Sequence, residues 1–297
     1  MKLRLGTRGS KLALTQSRGV AADLEAACSG LEVEVIIIKT HGDRDQNSAL
    51  SSFPGKGIFT KEIEDELLAG GIDFAVHSLK DLPTELPEGL CLAPSPPRAD
   101  PRDVLISATA LNDLPLGAVV GTGSARRRCQ LQAARPDLEF REIRGNVPTR
   151  VRKWREGSYD AVVLAMAGVR RLGLEAAGLL ESEIHPLSPR LCLPAPGQGI
   201  LGLEIRQGDQ ATLEFLGRLC SPEAETASQA ERSFLRTLGG GCHIPAGALA
   251  RLESDVLVAD GFLGTESGHI HRHRVEGRPD QAEALGQSLA AYLMERA

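Results

Sequence analysis

Residues 3–38 read LRLGTRGSKLALTQSRGVAADLEAACSGLEVEVIII, and this stretch decides the fold class. Leu3–Leu5 reads as a short strand. Ser10 then caps a helix over Lys11–Ala27, with Ala13, Gln16/Ser17, Val20, Leu24 and Ala27 one helical step apart. Val33–Ile38 is β-branched and nearly all apolar, as a buried parallel strand would be. A strand, a helix and a strand in succession predict a parallel α/β sheet.

The alternation continues outward. A polar loop over residues 41–57 is followed by a helix over Thr60–Ala69, stopped by Gly70-Gly71, and by a strand over Phe74–His77. Arg98–Asp103 is polar and holds Pro101, so the chain is expected to cross there into a second block. In that block Val104–Ile106, Ala118–Val120 and Ala161–Ala165 read as strands. Gly121-Thr122-Gly123-Ser124 opens one helix, and Asn146 with Pro148 opens another. Pro186–Pro196 reads as the return crossover, and Leu201–Ile205 as a strand rejoining the first block. Glu223–Leu238 and Asp280–Arg296 read as helices around a hairpin of Val256–Phe262 and His269–Val275. The expected domains are residues 1–98 plus 198–217, residues 102–194, and a small α+β domain over residues 220–297.

The 297 residues are 42% hydrophobic and 25% charged, with net charge −5, enough for real cores and against disorder. The longest apolar run, Ala161–Val169, is about half of a membrane span. The N-terminus shows no signal-peptide stretch, so a cytoplasmic protein is expected. Cys28, Cys91, Cys129, Cys192, Cys220 and Cys242 are scattered without metal-ligand spacing, and most read as small core residues. No metal is expected. His269, His271 and His273 share one strand face but have no obvious fourth ligand.

Between Arg126 and Arg155, nine arginines and one lysine face three acids, a net +7 in an acidic chain. On charge alone this is either a solvated helix face or an anion site; arginine's planar fork suits carboxylates. Nucleic acid is disfavoured, because the chain is acidic and few aromatics interleave. Gly121-Thr-Gly-Ser-Ala-Arg126 lacks the third glycine of a dinucleotide fingerprint, and no Walker A motif occurs. His77–Pro83 places Lys80 beside Asp81 after a strand, where open α/β sheets bind ligands. Gly239-Gly240-Gly241 strips side chains from around Cys242, leaving its thiol accessible, with a reactive and a structural role both open.

Taken in order, these segments resemble the porphobilinogen deaminase (hydroxymethylbilane synthase) family. The resemblance lies in Thr7–Ala13, Gly55–Phe59, His77–Pro83, Pro101–Asp103, Gly121–Leu131, Ile143–Val147, Leu193–Gly199, and Gly240-Gly241-Cys242 with Pro245 and Gly247. It implies an α/β fold of two periplasmic-binding-protein-like domains, a cleft between them, and a small C-terminal α+β domain. It also implies a dipyrromethane cofactor, thioether-linked to Cys242. The implied reaction joins four porphobilinogen molecules head to tail, releases ammonia at each step, and yields hydroxymethylbilane in porphyrin and heme biosynthesis.

Residue by residue, the resemblance makes Asp81 catalytic. It assigns the cofactor to Cys242, Ser78, Lys80, Asp81, Ser124, Arg126, Arg127, Arg144 and Arg150. It assigns substrate to Arg8, Ser10, Lys56, Phe59, Arg144, Arg150, Arg171 and Gln198, with Phe59 packing on a pyrrole ring and residues 41–57 as a mobile cover. Arg128 is expected to be solvated, and Arg171 rather than Arg170 matches. A monomer that binds neither nucleic acid nor membrane is expected. The alternative is a non-catalytic two-domain binding protein for a polycarboxylate ligand.

Overall fold

The computed structural model describes residues 1–40, 60–240, 244–265 and 269–297. The expectations on residues 41–57, Lys56, Phe59 and Cys242 lie outside these. The chain forms two compact units, one of residues 1–98 and 200–225, the other of residues 99–199 and 226–297.

In the first unit, β1 (Lys2–Arg8), β2 (Glu32–Ile38), β3 (Phe74–Ser78), β4 (Leu90–Ala93) and β10 (Leu201–Arg206) form a sheet in the order β2-β1-β3-β10-β4. β1 runs parallel to β2 and β3, whereas β10 is antiparallel to both its neighbours. Helix α1 (Lys11–Ala27) starts where expected, with Ser10 Oγ accepting from the Ala13 amide at 3.2 Å. Such a cap contributes about 1 kcal/mol. Its buried stripe, with Val20, Ala21 and Leu24, packs on Leu3, Leu5, Phe74, Val76 and Leu203. The opposite sheet face is covered by α2 (Lys61–Leu68) through Ile63 and Leu67, against Ala75 and Leu90.

One strand differs from expectation. β2 is parallel but lies at the sheet edge, paired with β1 alone, and Ile37 is 54% exposed. A run of β-branched residues signals the strand but not how many neighbours it has.

The second unit repeats the arrangement. β5 (Asp103–Ile106), β6 (Val119–Gly121), β7 (Glu139–Arg141), β8 (Ala161–Ala165) and β9 (Ile184–Pro186) lie in the order β7-β6-β8-β5-β9. β6 is parallel to β7 and β8, and β5 is antiparallel to β8 and β9. The two sheets therefore share one plan, in which each crossover delivers the single antiparallel strand, β5 or β10. The flanking helices are α3 (Ala125–Ala134), α4 (Val147–Arg155), α5 (Met166–Leu172) and the short α6 (Leu174–Ala177). α7 (Gln210–Leu216) follows β10 in the first unit.

The C-terminal part pairs β11 (Ala246–Glu253), β12 (Val256–Gly264) and β13 (Ile270–Gly277) as an antiparallel sheet. It packs with α8 (Pro222–Thr237) and α9 (Ala282–Met294). Sequence reading missed β4, β7 and β9, each of three or four residues, and also the longer β11, whose small residues, Ala246, Gly247, Ala248 and Ala250, carry little β signal. The His273 ring stacks on Tyr292 of α9, which gives it a packing role. Of the cysteines described, only Cys192 is buried; Cys28, Cys91 and Cys129 are partly covered and Cys220 is exposed, so the core reading holds for one of the five. Cysteine's apolar character allows burial without requiring it. Among the described residues, no helix is long and apolar enough to cross a membrane.

Gly247 on β11 lies against the second crossover. A Cβ there would meet the Pro194 carbonyl oxygen at 2.8 Å and that of Leu193 at 3.0 Å. Both contacts are backbone and cannot swing away. Gly247→Ala should therefore lower the unfolding free energy by about 1–3 kcal/mol in urea titration. Gly217→Ala, whose Cβ meets nothing within 4 Å, serves as the control.

Candidate functional site

Each unit gathers its sequence-predicted site residues at the carboxyl edge of its parallel strands, the edge where α/β sheets bind ligands. In the first unit, β1 ends at Arg8 and hands over to Ser10 at the α1 N-terminus, while β3 ends at Ser78. A single 3-10 turn, Leu79–Asp81, follows β3. Buried Leu79 and Leu82 pin that turn, leaving the Asp81 carboxylate exposed and Lys80 beside it. Two buried polar contacts from α1 reach the same edge. Gln16 Nε2 donates to Ser78 Oγ at 3.2 Å, and Ser17 Oγ donates to Thr7 Oγ1 at 2.7 Å. Nothing but their helical phase marks these two residues in the sequence.

In the second unit, β6 leads through Gly121–Gly123 into α3. Ser124 is its N-cap, accepting from the Arg127 amide at 3.4 Å, so the hydroxyl proton remains available to donate. Arg126 and Arg127 both turn inward to Asp103 at the head of β5. Arg126 Nη1 lies 2.6 Å from Oδ2, and Arg127 Nε lies 2.9 Å from Oδ1. Gln198 Nε2 donates to the same Oδ1 at 3.0 Å and to the Pro101 carbonyl at 2.7 Å. The Cys192 thiol is 3.3 Å from Oδ2. Asp103 is fully buried. Burial alone would raise its pKa, but the charges of Arg126 and Arg127 outweigh that and hold it well below the usual carboxylate range. Burial, then the Asp103 charge, pushes the Cys192 thiol up to about 12, so it stays protonated and donates. Two guanidiniums around one carboxylate leave a net positive charge.

The second crossover is tied to the same cluster. Arg126 Nη1 donates to the Leu193 carbonyl at 2.5 Å, and Gln130 exchanges hydrogen bonds with the Leu193 backbone at 2.8 and 3.1 Å. The Gly197 amide donates to Glu231 at 2.6 Å, and the other oxygen of Glu231 accepts from the Ala250 amide at 2.8 Å. Buried Glu231 thereby joins α8, β11 and the crossover. Neither Asp103 nor Glu231 was singled out from sequence. For Asp103 the available signal was its place in the crossover motif, close in sequence to the basic cluster.

Arg171 on α5 is partly buried, and Nη2 donates to the Gly199 carbonyl at 2.7 Å. Burial pulls its pKa below the usual arginine range, and no carboxylate opposes that shift. Arg170, its neighbour, is spent on exposed Glu181 at 2.7 Å. Much of the basic run is likewise answered locally. Arg135 pairs with Asp137, Arg141 with Glu139, Arg144 with Glu142 and Arg155 with Glu183. Arg150 Nε donates to the Gly145 carbonyl at 2.7 Å, and Arg128 is exposed. The run is thus partly a solvated face and partly an inward-turned set.

Asp103→Asn would leave two buried guanidiniums short of a counter-charge, which costs about 3–5 kcal/mol. The native carboxyl has a depressed pKa, so its contribution is complete above the unfolded value of about 3.9. It is lost as pH falls below that toward the native value. Urea unfolding at pH 7 and pH 3 should show a large gap between native and variant chains at pH 7, narrowing at pH 3.

Comparison with known proteins follows the same lines. A family model described as "Porphobilinogen deaminase, dipyromethane cofactor binding domain" matches residues 3–214, and "Porphobilinogen deaminase, C-terminal domain" matches residues 226–295. The porphobilinogen deaminase of Roseiflexus castenholzii is 48% identical over 295 residues, covering 99% of this chain and 96% of that one. That of Syntrophomonas wolfei is 48% identical over 297 residues, covering 99% and 95%. Among solved structures, the periplasmic VFT2 domain of Bordetella pertussis BvgS is similar at TM-score 0.41 and 15% identity, covering 74% of this chain and 86% of that one. Likeness of that degree leaves the fold description to the sheet order itself. The chain belongs to the porphobilinogen deaminase family, and its first 214 residues contain that family's dipyrromethane cofactor-binding domain.

Proposed function

We propose that this chain joins four porphobilinogen molecules head to tail into hydroxymethylbilane, with Asp81 as its catalytic group. It is a transferase of porphyrin biosynthesis, as its family membership establishes. What supports the residue assignment is found in each unit by itself: an exposed carboxylate at the strand edge of the first, and guanidinium charge in excess of the nearby acid in the second. Each porphobilinogen brings an acetate and a propionate, so a growing chain is a polyanion. Among the described residues no acid neutralises Arg171, and Arg126 with Arg127 exceed Asp103 by one charge. Ser124 has a hydroxyl proton to offer. Those donors fit the carboxylates of a dipyrromethane, and this supports the assignment of Ser78, Lys80, Ser124, Arg126, Arg127, Arg144 and Arg150 to the cofactor. When bound through Cys242, that group supplies the pyrrole carbon on which the chain is extended.

The work of the protein is then electrostatic and positional. Asp81 stands on a turn fixed by Leu79 and Leu82, where its carboxylate accepts from a pyrrole N–H. As ammonia leaves the substrate, positive charge develops at that nitrogen, and a fixed carboxylate stabilises it. The same group takes up the α-proton after coupling. Arg8, Ser10, Lys56, Phe59, Arg171 and Gln198 are assigned to substrate. Gln198 does so indirectly, since its amide nitrogen is held by Pro101 and Asp103. The enzyme is placed in the cytoplasm as a monomer acting on a small molecule. The acidic balance of the chain and the local pairing of its basic run both argue against nucleic acid.

Asp81→Asn keeps the size and removes the charge. Turnover should fall by about 10²–10⁴-fold, while the purified variant retains its cofactor. Near-normal turnover would remove Asp81 from the mechanism. Arg171→Gln should raise KM by about tenfold or more through loss of a charge-assisted hydrogen bond.

A further inference from the structure

A second buried polar cluster lies in the first unit, apart from every residue assigned above. Side chains alternate along β3 and β10, and the register sets which ones face α2. Glu204 lies opposite Ala75, and Gly202 opposite His77. Ala75 packs with Ile63 and Leu67 of α2, so His77, Glu204 and Arg206 share the α2 side of the sheet. At the far end of α2, Arg206 Nη1 donates to the Leu67 carbonyl at 3.0 Å and to the Ile72 carbonyl at 2.5 Å. Toward its near end, α2 turns Glu64 inward. His77 Nε2 and Glu204 Oε2 are 3.1 Å apart. His77 and Glu64 are each 7% exposed and Glu204 is 0% exposed.

Two carboxyl groups and one imidazole therefore share an apolar setting. Among the described residues, His77 Nε2, both Glu204 oxygens and Glu64 Oε1 have no aligned hydrogen bond, so the approach of His77 to Glu204 is a close polar contact without a hydrogen bond. Burying two carboxyl groups together in their charged form is costly. Desolvation pushes the Glu64 carboxyl upward against a smaller pull from Thr60, and the Glu204 charge adds to the rise. Asp65 on α2 adds a small push on Glu64, and Arg206 stands at the far end of the same face; Cys91 of β4, which feels the Glu204 charge, lies on the opposite face of the sheet with Ile205.

We propose that Glu64, Glu204 and His77 form a buried polar joint that docks α2 onto β3 and β10 and so positions the Ser78–Asp81 segment that follows His77. These are positioning residues. Only the kinetic part of the proposal rests on the Asp81 assignment; the docking part does not.

The test is a double-mutant cycle on the holoenzyme, read by urea unfolding and by kcat across pH. Glu204→Gln leaves His77 without its carboxylate partner. Its urea midpoint should fall by roughly 1–2 M, and kcat by about ten- to a hundredfold with KM little changed. Adding His77→Gln should restore part of both losses, because the stranded imidazole goes with it. Glu64→Gln mimics the neutral carboxyl. Because a raised carboxyl pKa favours folding only until pH rises through it, Glu64→Gln should flatten the native chain's loss of stability over that rise.

A silent Glu204→Gln, or strictly additive losses in the double variant, would overturn the joint. Coupling in urea with no coupling in kcat would overturn the positioning role. Should Asp81→Asn prove fully active, the unfolding arm alone still decides whether the joint exists.

Discussion

Asp103 is a carboxylate removed from water and gripped by two guanidiniums, an amide and a thiol. Isolated, a buried carboxylate would be strongly unfavourable; surrounded in this way, it becomes the fixed point of the second unit. Arg126 reaches it from α3, Gln198 from the second crossover and Cys192 from the segment just before. The residue itself begins β5, straight after the first crossover. Both passages of the chain between sheets are therefore tied to one charged centre. The Cys192 thiol, held protonated, adds a donor without adding a charge. Two guanidiniums against one carboxylate leave a net positive charge at this point.

The sheet order explains why such a tie is placed there. Each five-stranded sheet has four strands running one way and one antiparallel strand supplied by a crossover, β10 in the first and β5 in the second. Both crossovers must hold their geometry for those strands to stay in register. Glu231 and Gly247 serve the same end from the C-terminal part. One carboxylate bridges the Gly197 and Ala250 amides, and one missing side chain lets β11 lie against Leu193 and Pro194. In the first unit, Arg206 of β10 holds the end of α2 through the Leu67 carbonyl, while Glu204, on the same face, lies 3.1 Å from His77 of β3.

The sequence was legible where local signals are strong. Ser10, Ser124 and Asn146 each announced a helix start, and each accepts the capping hydrogen bond expected of it. The order of the motifs carries the family resemblance without any knowledge of the fold. Less legible was anything set by pairing across the chain. The edge position of β2 depends on its neighbours, not on its own residues. β11 is built of alanine and glycine, which carry little strand preference. The inward turn of Arg126 and Arg127, against the outward pairing of Arg135, Arg141 and Arg144, depends on where Asp103 and the local acids fall in space. Charge counting saw one basic run where the structure has two populations. Asp103, Glu231 and Glu204 escaped notice because an acid in a strand or helix looks solvated until the fold buries it.

The central claim is that this chain carries a dipyrromethane on Cys242 and builds hydroxymethylbilane from it. The most direct measurement is the intact mass of the purified protein, followed by peptide mapping. The account predicts a mass excess equal to two porphobilinogen-derived pyrrole units, located on the peptide that contains Cys242 and lost in Cys242→Ser. An unmodified chain that also fails to acquire the adduct when supplied with porphobilinogen would contradict it.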